Sequence, residues 1–333
     1  SMSVGLFISL INAILELMQE TTWGLTEIVD SLTRTNHFFK DLNSFFSWEE
    51  IDEEDKNRMP YDKEEFVFKS LVFRNTSFTY PDTEKQVLKN LFLEMKEGKH
   101  YALVGSNGEG KTTIIKLLLG LYDGYGGDIL LNGESIRKVP VRERNQIFSV
   151  VFQDFRLFSF SLGQNVAASV EVDGQKAEDC LNKTGFSDRM PEMPRGLDTP
   201  LYRDFESDGV EISGGEAQKI ALARALYKDA PFVILDEPTA ALDPVAEYEI
   251  YSGFETLVGS KSAVYISHRL SSCRFCDDIA VFEQGQLVQR GDHETLLAQR
   301  EGLYQELWNA QAQYYEDNTE ESEKYSIEPV MEG

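Results

Sequence analysis

Two short stretches carry most of the chemistry in this 333-residue chain. The first is GSNGEGKTT, Gly105 to Thr113, which fits G-x-x-x-x-G-K-[ST]. Gly105, Gly108 and Gly110 let the backbone N–H groups of the loop, those of Ser106 and Asn107 included, curl around phosphate oxygens. Lys111 then reaches the β- and γ-phosphates, and the hydroxyl of Thr112, with Thr113 behind it, suits a Mg²⁺ position. The second is FVILDEP, Phe232 to Pro238, an apolar strand that ends in two carboxylates. Asp236 is placed to hold Mg²⁺, directly or through water, and Glu237 to polarise an attacking water. A lone acidic pair after a strand is usually a solvated turn. A phosphate loop upstream turns the argument toward catalysis, and the pair of motifs reads as a nucleoside triphosphate site.

A third stretch, GVEISGGEAQKIALARA (Gly209 to Ala225), places Gly214 and Gly215 where a helix begins. Glycine costs about 1 kcal/mol inside a helix, so its use there needs a reason. One reading is a capping box, with Ser213 as the cap and Glu216 reaching back to the Ser213 N–H. The other is an anion site made by the bare N–H groups of a helix N-terminus. Three single residues join these motifs. Tyr80 in FTYP offers a platform for adenine, although a strand tyrosine is more often packing. Gln153 in VVFQDF and His268 in ISHR end strands within reach of Mg²⁺, water or a γ-phosphate.

The elements that must hold these residues follow from periodicity. HYALVG is a buried strand running into the phosphate loop, and a helix starts at Lys111. IFSVVFQ, FVILDE, SAVYISH and IAVFEQG are further short apolar strands, mostly separated by helical patterns, which predicts a largely parallel sheet between helices. FVFKSLVFRNTSFTY and VLKNLFLEM predict an antiparallel edge sheet, and GDILLNGESI contains a hairpin-type Asn132-Gly133 turn. Ser161 to Leu226 predicts an inserted helical subdomain. The fold class is therefore α/β, a P-loop core with these two additions.

At the front, VGLFISLINAILELM (Val4 to Met18) is apolar but shorter than the roughly 20 residues of a membrane span. Helical periodicity continues without proline to about Phe46, which suits either a surface helix or the membrane-exit end of a spanning helix. Ser1 ahead of Met2 reads as a cloning remnant, and no signal peptide is visible. Glu49 to Glu65 holds nine acids against three bases, and the last eighteen residues seven against one, as in solvated linkers and tails. The net charge of −25 argues against a nucleic-acid partner. Three cysteines make no disulfide framework. Cys273 and Cys276, though spaced C-x-x-C, lack a second pair and read as ordinary helical residues.

Taken together, Tyr80, GSNGEGKTT, Gln153, ISGGE, ILDEP, AALD (Ala240 to Asp243) and His268, in that order, resemble the ATP-binding cassette (ABC) ATPases over roughly Phe66 to Tyr315. The resemblance implies that Tyr80 is the A-loop aromatic, Gln153 the Q-loop residue, Asp243 the D-loop aspartate and His268 the switch histidine. It also implies ATP and Mg²⁺ as ligands. In this family two subunits pair head to tail, and the signature helix of one faces the γ-phosphate held by the other. Ser213, Gly214 and Gly215 are then aimed at a partner's ATP, and the cap and the anion site use the same helix end.

Two departures stand out: Glu216 replaces the usual glutamine, and LDTPLYRDFESDGVEISGG is long, similar to a bacteriocin- or lantibiotic-type subgroup. The loop facing a membrane domain is thereby least defined around Tyr202 to Asp208. LFSFSLGQNV and GQLVQRGDHETLL look like the exporter form of the family, and the first helix is similar to an exporter's last transmembrane helix. The expected organisation is a membrane-domain end over 1–48, an acidic linker over 49–65, the ATPase over 66–315 and an acidic tail over 316–333. The expected function is the ATPase of an exporter half-transporter at the cytoplasmic face of the cell membrane. Its partners would be a second ABC ATPase subunit, identical or related, and the transmembrane domain. An importer ATPase subunit and a soluble regulatory ABC protein are the rival readings.

Overall fold

The computed structural model describes residues 4–47, 66–238, 258–267 and 270–311. These fall into two compact units, one within Ser1–Lys56 and the other within Asn57–Gly333. The linker and tail expected at 49–65 and 316–333, together with Asp243 and His268, lie outside the described residues.

Among its described residues the first unit is a single helix, α1 (Val4–Phe46), of 43 residues. At 1.5 Å per residue it is about 65 Å long. The hydroxyls of Thr21, Thr22, Thr26 and Thr33 donate to carbonyls four residues back, at 2.5 to 2.8 Å. These polar side chains are therefore satisfied within the helix itself. Its large apolar side chains, Phe7, Ile14 and Trp23 among them, are exposed. By length and composition, with a mean hydropathy of 1.3 in its most apolar window, α1 is capable of crossing a membrane.

The second unit is built on two sheets. Strands β1 (Ser70–Thr79), β2 (Gln86–Lys96), β4 (Gly126–Leu131) and β5 (Glu134–Ser135) form an antiparallel sheet in the order β2-β1-β4-β5. The β4–β5 turn is the expected one, with Asn132 at φ 51° and Gly133 at φ 87°. The second sheet has the order β10-β9-β3-β8-β7-β6. Its members are β3 (His100–Val104), β6 (Phe148–Val151), β7 (Phe232–Asp236), β8 (Ser262–Ile266), β9 (Asp278–Glu283) and β10 (Gln286–Gly291). All its pairings are parallel except β9 with β10.

The continuous apolar runs of β7 and β8 have a simple cause, since both faces of that sheet are covered. Phe232, Ile234, Val264 and Ile266 enter one core with the antiparallel sheet and helix α2 (Lys111–Leu118). Val233, Leu235, Ala263 and Tyr265 enter a second core on the opposite face, with Cys273 and Cys276 buried in it. The helical insertion holds α4 (Leu162–Ala167), α5 (Gly174–Lys183) and α6 (Gly214–Lys228), after the short α3 (Val141–Ile147). Ile220 and Ala223 of α6 pack into the insertion's own core, whereas Leu222 and Ala225 pack into the second core of the sheet. Helix α6 thus joins insertion to sheet. A short α7 (His293–Ala298) follows β10.

Candidate functional site

A parallel sheet gathers its ligand-binding residues at the carboxyl ends of its strands. Here β3 runs into the phosphate loop, β7 into Asp236 and Glu237, and β6 into Gln153. The strands lie in the order β3-β8-β7-β6, so residues far apart in sequence end side by side. A cleft of about 490 Å³ opens there, lined by Tyr80, Asn107, Gly108, Gly110, Lys111, Thr112, Thr113, Gln153 and Glu237.

The loop needs its glycines for space as well as for conformation. Gly105 has φ 149°, and a Cβ there would lie 2.4 Å from the Phe282 carbonyl oxygen. Gly110, the residue before α2, has φ 92°, and a Cβ would meet Leu88 at 2.6 Å and the Val87 oxygen at 2.9 Å. No side chain caps α2. Lys111 is buried, and its ammonium donates to the carbonyls of Gly105 at 2.7 Å and Ser106 at 2.8 Å. Burial pushes the Lys111 pKa below the ordinary lysine value, against the pull of Glu237, Asp236 and Glu109.

The two carboxylates are placed by different means, Glu237 in the lining of the cleft and Asp236 buried beneath Thr112. Asp236 follows the alternation of β7 onto the face of Ile234, which is the α2 side, and accepts the Thr112 hydroxyl at 2.8 Å. Glu237 would point to the opposite face if the strand continued. Instead it takes φ 50°, and its N–H donates to the Ile266 carbonyl at 2.8 Å. A left-handed non-glycine residue costs roughly 1 kcal/mol or more, and the turn brings Glu237 to the cleft. Its carboxylate accepts the Gln153 amide at 2.8 Å. Tyr80 also lies in the cleft, fixed by a 2.9 Å hydrogen bond between its hydroxyl and that of Thr113 and by an edge contact with Tyr122.

Ser213, Gly214 and Gly215 do not line this cleft. Ser213 caps α6, its hydroxyl accepting from the Glu216 N–H at 3.3 Å while the Glu216 carboxylate accepts from the Ser213 N–H at 2.8 Å. The box expected from the sequence is present, and the exposed Ser213 and Gly214 face away from the protein interior.

Several contributors escaped sequence reasoning. Buried Gln218 on α6 donates to the Glu237 carbonyl at 3.3 Å, which ties the helix to the backbone of Glu237. Its only sequence signal was its place in the same helix as ISGGE. Glu109, inside the phosphate loop, turns away from the cleft and accepts the Gly285 N–H at 3.0 Å. Arg189 pairs with Glu216. Lys85 lines the cleft mouth.

A glycine-rich loop that feeds a helix, with a carboxylate pair at the end of the parallel strand next but one, defines a P-loop nucleotide-hydrolysing fold. Residues 88–240 match the family described as ABC transporter, and the chain carries an ABC transporter ATP-binding domain, an ATPase. It is 34% identical over 304 residues to the subtilin transport ATP-binding protein SpaT of Bacillus subtilis, covering 88% of this chain and 47% of that protein. It is 39% identical over 244 residues to the ATP-dependent lipid A-core flippase of Salmonella typhimurium, covering 72% and 41%. Among solved structures it is similar to a bacterial Atm1-family ABC exporter with ATP bound, with a TM-score of 0.74 and 29% identity over 93% of this chain and 53% of that one. The chain spans about half the length of these proteins.

Proposed function

We propose that the chain is the ATP-hydrolysing part of an ABC exporter half-transporter, working at the cytoplasmic face of the membrane as one of two subunits paired head to tail. One observation carries the reading. Thr112–Asp236 and Gln153–Glu237 converge at the mouth of the phosphate loop, while Ser213, Gly214 and Gly215 stand outside the same cleft. Such a chain holds the hydrolytic half of one ATP site and the signature half of another.

Within the cleft, Lys111 and the loop N–H groups bind the phosphates and Tyr80 takes the adenine. Thr112 and Asp236 are hard oxygen donors of the kind Mg²⁺ prefers. No cluster of three or more His, Cys, Asp or Glu side chains suited to a metal occurs among the described residues. The cation's other ligands would be phosphate oxygens and water. When bound, Mg²⁺ neutralises phosphate charge. Glu237 accepts the proton of the attacking water, and Gln153 orients its carboxylate. Asp243 and His268 keep the D-loop and switch roles that the family resemblance assigns them.

The matches to a subtilin transport protein and to an Atm1-family ABC exporter extend over 88% and 93% of this chain, well beyond the ATP-binding domain. This favours an exporter over an importer subunit. In the same reading α1 is the end of a membrane domain, its exposed apolar side chains covered by lipid or neighbouring helices. Exposed Phe158, Phe160 and Phe205 offer anchors for that membrane domain, the loop of Phe205 being joined to the segment of Phe158 by a Ser159–Asp204 hydrogen bond. The test is phosphate release from ATP against Mg²⁺ concentration. Hydrolysis should need the cation, and Glu237→Gln should be at least about 100-fold slower. Near-unchanged turnover in that variant would remove Glu237 from the base role.

A further inference from the structure

The two oxygens of Glu216 have different partners. Oε2 takes the Ser213 N–H at 2.8 Å, and Oε1 lies 2.9 Å from Nε of Arg189. The side chains are only 24% and 26% exposed. Arg189 belongs to a 3₁₀ segment, Ser187–Glu192, that follows Phe186 of the insertion core, and it pairs with Glu192 as well. One turn further along α6, the Lys219 ammonium donates to the Gly185 carbonyl at 2.9 Å. Residues three apart share a helix face. The segment 185–192 is therefore tied twice to the start of α6.

We propose that Arg189 is a positioning residue for the signature end of α6. It holds the Glu216 carboxylate against its own cap and offsets part of its charge, the guanidinium being shared with Glu192, so that a phosphate can approach Ser213 and Gly215. An unanswered carboxylate at this place would repel an incoming anion, and a half-buried one is poorly screened by salt. With the guanidinium in place, the helix end keeps the positive field of its unpaired N–H groups. Helix α4 offers the uncharged counterpart. There Ser161 and Gln164 make the same box, with the Ser161 N–H donating to Gln164 at 3.1 Å. The proposal rests on the reading that Ser213 to Gly215 face nucleotide held by a second chain.

The test is a double-mutant cycle with Arg189→Met and Glu216→Gln, made in the full chain carrying Glu237→Gln so that ATP-bound dimers accumulate. Sedimentation should show R189M weakening ATP-driven association about three- to fivefold where Glu216 is kept, and less than about 1.5-fold together with E216Q. R189K should restore part of the loss, since it keeps the charge but cannot reach Glu216 and Glu192 at once. Equal losses in both backgrounds would overturn the proposal, because Arg189 would then act by packing alone. Melting without nucleotide reads the brace separately. R189M should lower the melting temperature by about 2 °C beside Glu216 and by less than half of that with E216Q. Additive shifts would also overturn it. If ATP drives no association even in the parent, the two-chain reading fails, and the melting cycle still decides the brace.

Discussion

Helices α2 and α6 both begin at positions read as phosphate-binding, yet they are finished in opposite ways. Helix α2 starts after left-handed Gly110 and has no side-chain cap, whereas α6 starts from Ser213 with both bonds of the box made. In the proposed reading, the difference follows from where the ligand comes from. An end that binds its own phosphate must keep its N–H groups open. Its loop is held instead by the Lys111 bonds to Gly105 and Ser106 and by the Glu109–Gly285 bond. An end offered to a second chain has to stay ordered while unliganded, and a cap worth about 1 kcal/mol does this. The box by itself confers no function, since α4 has one with its first helical residues, Leu162 and Gly163, buried. Exposure and the two glycines separate α6 from α4.

The contrast is most sharply tested at Lys111, the buried cation of the open end. Lys111→Ala should abolish most ATP binding by calorimetry, because the phosphates lose the side-chain ammonium at the centre of their loop. Unchanged affinity would discard the phosphate-site assignment. Ser213→Ala should behave differently. It should cost about 1 kcal/mol of stability, a fall of about 2–4 °C in melting temperature, and weaken ATP-driven association while leaving ATP affinity of the single chain intact. A loss of single-chain affinity would place Ser213 in the chain's own site and dissolve the contrast. Smallest is Glu216→Gln. Because Arg189 already offsets part of the charge, association should rise by well under 1 kcal/mol and melting should fall slightly. Weakened association would mean that the carboxylate itself contacts the partner.

Much of this was legible beforehand because it depends on local pattern. The bounds of α1, the apolar runs of β7 and β8, the Asn132-Gly133 turn and the Ser213–Glu216 box all arise within a few residues of sequence. Strand β10 was missed for a physical reason. Gln286 to Gly291 is a half-exposed edge with no apolar run, and its pairing to β9 alone makes it a strand. The site's positioning contacts were hidden because they span distance: Tyr80 with Thr113, Gln218 with Glu237, Glu109 with Gly285. Nor does any residue type announce the left-handed backbone of Glu237. It is the neighbouring strand, through the Ile266 carbonyl, that holds it.

The central claim is that one chain carries two unlike half-sites, and sedimentation of Glu237→Gln measures it most directly. Without nucleotide the chain should run mostly as a monomer, and ATP with Mg²⁺ should convert it to a dimer. Combining Lys111→Ala with Glu237→Gln should abolish that conversion. A dimer of the same strength with and without ATP, or a chain that binds ATP fully and stays monomeric, would contradict the account.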